Sequence, residues 1–210
     1  MGRRNMGTAA SPTRGVFAGG NPGSSPLTDD TMDYITIGSA GNAIDFGNLS
    51  STFREGSGCS NGTRGVFNVG GPGSDVVNTL EYITIASAGN ATDFGNLSGT
   101  YREGAGCSNG TRGVFNAGSP GGSALNTIEF ITIANTGNTT DFGDLFYAVG
   151  NAGGTSNGTR GVFGGGSGAA YTNIIQFITI ATTGDAQDFG DLTFTRIPYG
   201  ATSDSHGGIS

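Results

Sequence analysis

The chain has 210 residues, with 42 glycines, 6 prolines, nine basic residues that are all arginine, sixteen acidic residues and a net charge of −7. An acidic chain without lysine shows no basic patch to release counterions from nucleic acid, so nucleic acid is not expected as a partner. No apolar run approaches the roughly 20 residues of a membrane-spanning helix, so membrane insertion is not expected.

The N-terminus places Arg3 and Arg4 early but follows them with no apolar stretch, so no secretory signal peptide is expected. Thr-Arg-Gly-Val-Phe then recurs at Thr13–Phe17, Thr63–Phe67, Thr111–Phe115 and Thr159–Phe163, in steps of 50, 48 and 48 residues. An aromatic followed by Ile-Thr-Ile recurs at Tyr34–Ile37, Tyr82–Ile85, Phe130–Ile133 and Phe177–Ile180. Asp-Phe-Gly recurs at Asp45–Gly47, Asp93–Gly95, Asp141–Gly143 and Asp188–Gly190. Three motifs in one register define repeated units at about 3–50, 53–98, 101–145 and 148–193, with a partial fifth at 196–210. The whole chain, 1–210, reads as one repeat domain.

Each unit predicts four short antiparallel strands. In the second unit these are Phe53–Ser60, Thr63–Val69, Thr79–Ser87 and Thr92–Leu97. The first two are joined at Asn61-Gly62, where both residue types tolerate positive φ. The third strand, Leu80 to Ala86, is wholly polar on neither face, which predicts a sheet packed on both sides. Four strands in roughly 48 residues is the size of one propeller blade, and one such unit cannot bury its own faces. The fold class predicted is therefore all-β: a β-propeller of four full four-stranded blades plus a partial fifth unit. The fifth offers a first strand at Ile197–Thr202 and, at 203–209, a segment that aligns with Asn61–Phe67 and completes a first hairpin, with no third or fourth strand expected.

Candidate site residues follow the repeat. Arg14, Arg64, Arg112 and Arg160 recur once per unit, as do Asp45, Asp93, Asp141 and Asp188. A structural pairing of these two rings is expected, since guanidinium suits carboxylate or backbone acceptors. The alternative is a ring of arginines facing a central channel and binding an anion. Asp-Phe-Gly is also the metal-binding motif of protein kinases, but four copies without a nucleotide loop or a lysine remove that reading. Phe46, Phe94, Phe142 and Phe189 are instead expected to pack between blades. Cys59 and Cys107 occupy equivalent places in adjacent units, where Ala9 and Thr155 stand in two others, and are expected to be free thiols in a small packed site. Two cysteines and the single His206 supply no metal set, so neither metal, cofactor nor catalytic residue is predicted. Units differ most in the loop after the second strand, and loops on rigid scaffolds carry recognition. The candidate ligand residues there are Asp29, Asp30, Asp75 and Tyr171.

These units resemble kelch repeats. The kelch pattern is met by Arg54 before the first strand, Val66-Phe67 followed by Gly70-Gly71, Tyr82 in the third strand, and Phe94 with Leu97. The arginine is replaced by Gly150 in the fourth unit, and Gly118-Ser119 replaces the glycine pair in the third. The combination of Thr-Arg-Gly-Val-Phe, Ile-Thr-Ile and Asp-Phe-Gly is similar to repeats of structural proteins in tailed bacteriophages, marine ones above all. That resemblance implies a kelch-like propeller on a virion, as a tail appendage or surface protein. The partners it implies are other virion proteins, copies of itself, or a host surface glycan. The alternatives are a glycan-processing enzyme on a propeller and a cellular kelch adaptor.

Overall fold

The computed structural model describes residues 3–71, 76–198, 200 and 201. Asp75, His206 and most of the partial fifth unit lie outside the described residues. Sixteen strands form four antiparallel sheets of four, and the described residues contain no helix. The first sheet holds β1 (Gly7–Ala10), β2 (Arg14–Ala18), β3 (Asp29–Thr36) and β4 (Ile44–Phe53). The second holds β5 (Ser57–Ser60), β6 (Arg64–Asn68), β7 (Thr79–Thr84) and β8 (Thr92–Asn96). The third holds β9 (Gly106–Ser108), β10 (Arg112–Asn116), β11 (Thr127–Thr132) and β12 (Thr140–Asp144). The fourth holds β13 (Gly153–Ser156), β14 (Arg160–Gly164), β15 (Ile174–Thr179) and β16 (Gln187–Asp191). Within each sheet the strands lie in sequence order, so every connection is a simple hairpin-type return. The first strands of successive sheets lie against one another, which gives a β-propeller-like arrangement.

The Asn-Gly turn works differently from the two-residue turn expected. Gly62 has φ +81°, but Asn61 does not enter the left-handed region. Its side-chain Oδ1 instead accepts the amides of Thr63 and Arg64, at 3.1 and 2.8 Å. The same arrangement recurs at Asn109 and Asn157. A side chain that mimics a backbone turn explains the Asn, and φ explains the Gly.

The core lies between the sheets. Phe46, Phe94 and Phe142 are each 2% exposed, and each meets the third-strand aromatic of its own unit edge to face, with ring centroids about 6 Å apart. Glycine governs how closely the sheets approach. A Cβ on Gly106 would strike the carbonyl oxygen of Gly58, and one on Gly154 would strike that of Gly106. Only a strand without side chains there lets two neighbouring backbones touch.

In the second, third and fourth units one buried polar side chain ties the sheet to the one before it. Glu81 is buried, and its carboxylate accepts the Ser50 amide (3.1 Å) and the Ser50 hydroxyl. Glu129 does the same for Ser98 and also accepts from Thr139 Oγ1 (3.0 Å). In the fourth unit Gln176 fills the place, accepting the Tyr147 amide (2.6 Å) and donating to the Tyr147 carbonyl (3.0 Å). Each buried acid or amide thus satisfies backbone of the preceding unit, within its fourth strand at Ser50 and just after it at Ser98 and Tyr147.

Candidate functional site

The first strands and the segments before them enclose a cavity of about 190 Å³. All four full units contribute equivalent residues to its wall, and Pro198, Gly200 and Ala201 complete it. The wall is largely glycine and backbone. Four larger polar side chains stand on it at one repeat position: Asn5, Glu55, Glu103 and Asn151. They are the only non-glycine residues with positive φ among those described, at 55°, 61°, 63° and 55°. Asparagine tolerates that region, whereas glutamate is held there against its preference.

A run of backbone bonds holds these residues. The amide of Glu55 donates to the Asn5 carbonyl (3.1 Å), that of Glu103 to the Glu55 carbonyl (3.0 Å), and that of Asn151 to the Glu103 carbonyl (2.6 Å). The two carboxylates have unlike surroundings. Glu55 lies between Arg54 Nε (3.8 Å) and Arg102 Nη1 (3.6 Å). Glu103 forms no ion pair among the described residues, because Gly150 stands where the next arginine would be. A Cβ on Gly150 would lie 3.2 Å from Glu103 Oε2. Around the same mouth Asn5 Oδ1, Glu55 Oε2, Arg54 Nε and Arg102 Nε are buried without a hydrogen bond among the described residues. The cavity wall can therefore present the Glu103 carboxylate to a small polar group.

Sequence reasoning passed over Asn5, Glu55, Glu103 and Asn151. The signal was present as Asn, Glu, Glu, Asn directly after the repeated first-strand arginine or its Gly150 replacement. The residue types carry no obvious chemistry until the backbone places them together.

The two rings expected to pair do not. Among the described residues the ion pairs are Arg3 with Asp29 and Asp33, and Glu55 with Arg54 and Arg102. Arg14, Arg64, Arg112 and Arg160 lie on second strands, and Asp45, Asp93, Asp141 and Asp188 on fourth strands, so a whole strand separates them. All four aspartates are exposed. Each arginine instead lays its guanidinium over the third-strand aromatic of its unit, 4.3 to 4.6 Å from the ring centroid. Arg14 then donates to the Ile85 carbonyl (3.0 Å), Arg64 to Ile133 and Ala134 (3.1 and 2.8 Å), and Arg112 to Ile180 and Ala181 (3.1 and 2.9 Å). These acceptors belong to the following unit. Arg14, Arg64 and Arg112 therefore join units, and none of the four arginines lines the cavity, which also removes the anion-channel alternative.

The loop residues are dispersed. Tyr171 is exposed at the surface of the fourth unit. Asp29 begins β3 and Asp30 follows it, both half-buried. Partial burial pushes the Asp29 carboxyl up. The Thr31 hydrogen bonds and the nearby Arg3 outweigh that effect and hold it below the usual carboxylate range. The structure thus brings none of these loop residues to the cavity wall.

Cys59 and Cys107 are free and buried. A Cβ on Gly113 would collide with Cys59 Sγ, and one on Gly161 with Cys107 Sγ. The glycine of Thr-Arg-Gly-Val-Phe is thus the seat for a small side chain of the preceding unit. Burial pushes the Cys107 thiol up to about 12, and pushes Cys59 up as well, with the second thiol adding to that shift.

No protein-family model matches the chain, and no curated protein matches it.

Proposed function

We propose that the chain is a non-enzymatic structural or attachment module of a virus particle, carried on a tail or surface appendage. Its scaffold is a kelch-like propeller, with the start of the fifth unit closing the ring at the axis. Its partners are other virion proteins, copies of itself, or a host surface glycan. The observation that carries this reading is the triple repetition of one joint between units. The same arginine, glutamate or glutamine, and phenylalanine positions recur at each joint, so the side-chain chemistry of the repeat serves assembly of a rigid body. The variable loops, including Asp29, Asp30 and Tyr171, then remain for recognition. The likeness of the three motifs to phage structural repeats supports the particle setting.

A second reading, a glycan-processing enzyme, has Glu55 and Glu103 on one cavity wall in its favour. A paired experiment separates the two. Antibody labelling of native particles in electron micrographs should place the chain on a tail or surface. Glycan-array binding, followed by product analysis of the bound sugars, should show capture without cleavage. Hydrolysis that is lost in Glu103→Gln would replace the proposal with the enzyme. Absence of label from particles would remove the virion setting.

A further inference from the structure

Every joint between units closes the same way. At the third joint Val114, Phe142 and Leu145 on the leaving face of one unit meet Phe163, Ile178 and Ile180 on the entering face of the next. The other two joints repeat this cluster position for position. The tip between the third and fourth strands also pairs with the edge of the fourth strand before it. The Gly89 amide donates to the Phe46 carbonyl (2.6 Å), the Ala91 amide donates to the Asn48 carbonyl (2.9 Å), and Asn90 Oδ1 accepts the Asn48 amide (3.0 Å). The tips at Gly137–Thr139 and Gly184–Ala186 repeat it on β8 and β12.

The chain carries one uncovered face of each kind. On the leaving face of the fourth unit, Phe189 is 52% exposed where its three counterparts are 2%, and Val162 and Leu192 are half-buried where theirs are buried. Arg160 stacks on Phe177, but among the described residues it has no carbonyl acceptor like those of its counterparts. On the entering face of the first unit, Ile37 is 55% exposed where Ile85, Ile133 and Ile180 are 0%, and Phe17 and Ile35 are half-buried where their counterparts are buried. The tip on that face, Ile37–Ala43, is exposed throughout and differs from Ile85–Ala91 at one position, Gly38 for Ala86. Each face is half of a joint, and an unpaired edge beside exposed apolar side chains is a template for association.

We propose that the chain associates head to tail: the first unit of one copy docks on the fourth unit of another and remakes the internal joint between molecules. Ile37 of the incoming copy then packs on Phe189 and its carbonyl accepts from Arg160. Its Gly41 amide donates to the Phe189 carbonyl, and its Asn42 Oδ1 accepts the Asp191 amide. The two faces differ, so the contact is heterologous, and copies add in a row or close a ring.

In the single chain Pro198, Gly200 and Ala201 hold the inner part of this site. The bond from the Gly166 amide to the Arg196 carbonyl repeats that from Gly20 to Phe53, which sets Pro198 at the place of Glu55. Proline has no N–H, so the run of backbone bonds through Asn5, Glu55 and Glu103 stops at the Asn151 carbonyl. Residues 197, 198, 200 and 201 make no hydrogen bond among the described residues. The incoming β1 displaces them, and its Asn5 amide continues the run on Asn151. The new joint is weaker than the internal ones: Asp33 stands at the place of Glu81 and is already held by Arg3, so no buried connector forms and association is reversible. The inference narrows the partners of the proposed function to a second copy; it rests on that reading for its scaffold and not for its particle setting.

Sedimentation velocity of the full chain over a concentration series tests this. The mass should rise reversibly with concentration. Ile37→Asp spoils the entering face and keeps the leaving one, and Phe189→Ser does the reverse. Both side chains are exposed, so each variant should keep the circular dichroism and urea midpoint of the natural chain. Each variant alone should stay a single chain where the natural chain associates. An equimolar mixture of the two should form a pair and nothing larger, since one good face of each kind remains. Arg160→Ala, a second change at the leaving face, should weaken association about tenfold. A natural chain that stays single up to about 1 mM overturns the proposal. So does a mixture that forms no pair, or either variant associating as the natural chain does. Absence of label from particles would leave these masses unchanged, so the two proposals fail separately.

Discussion

Arg64 in the second unit reaches across its own Tyr82 ring to donate to the carbonyl of Ile133 in the third. Arg112 repeats that reach to Ile180, while Arg160 has the ring alone among the described residues. A charged donor to a carbonyl contributes about 1.5–3 kcal/mol, and an exposed cation over a ring about 0.5–1 kcal/mol. Arg112→Ala is therefore expected to lower the urea midpoint clearly more than Arg160→Ala does. Equal losses would mean that the contact between units contributes nothing.

Glu129 tests the buried connector. It holds the Ser98 amide and hydroxyl and Thr139 Oγ1, whereas Gln176 serves the equivalent role one unit on as a neutral amide. Glu129→Gln should cost under about 1 kcal/mol in denaturant titrations, and Glu129→Ala about 3 kcal/mol, because Ser98 is left without its acceptor. A severe loss in Glu129→Gln would show that the charge, not the hydrogen bonding, matters at this joint.

Much of the fold was legible because packing repeats. Phe46, Phe94 and Phe142 are alike since each fills the same gap between sheets, and a repeated gap leaves a repeated letter. The site was less legible, for two physical reasons. The partner of Arg64 is a backbone carbonyl, which no sequence motif spells, so Asp93 looked like the natural partner. Glu55 and Glu103 became notable only through a left-handed backbone that their residue type disfavours. The covering of the β4 edge by the Gly89–Ala91 segment depends on a neighbouring sheet, which no local motif spells.

The cavity wall gives a strain test. Glu103 sits at φ 63° and has no ion pair among the described residues, so its side chain does not offset the conformational cost through one. Glu103→Asn should raise stability by about 1 kcal/mol, measured as a higher midpoint. Glu55→Asn relieves the same strain but gives up Arg54 and Arg102, and should gain less. A loss in Glu103→Asn would reveal a partner that holds the carboxylate.

The buried thiols make stability fall at high pH. An unfolded thiol ionises above roughly 8.5, while in the folded chain Cys107 stays protonated until about 12 and Cys59 is pushed up as well. Above roughly pH 8.5 the unfolded state thus binds fewer protons than the folded one, so the stability slope is negative. Each thiol contributes a loss of about 1.4 kcal/mol per pH unit until its folded value is reached. Below 8.5 neither contributes. Urea midpoints from pH 8 to 10 should fall more steeply for the natural chain than for the Cys59→Ala, Cys107→Ala variant, in which alanine copies Ala9 of the first unit. Folded protein should also resist iodoacetamide at pH 8 and react at both thiols once unfolded. Parallel midpoints, or rapid native alkylation, would show that the seats at Gly113 and Gly161 do not seal the sulfurs from water.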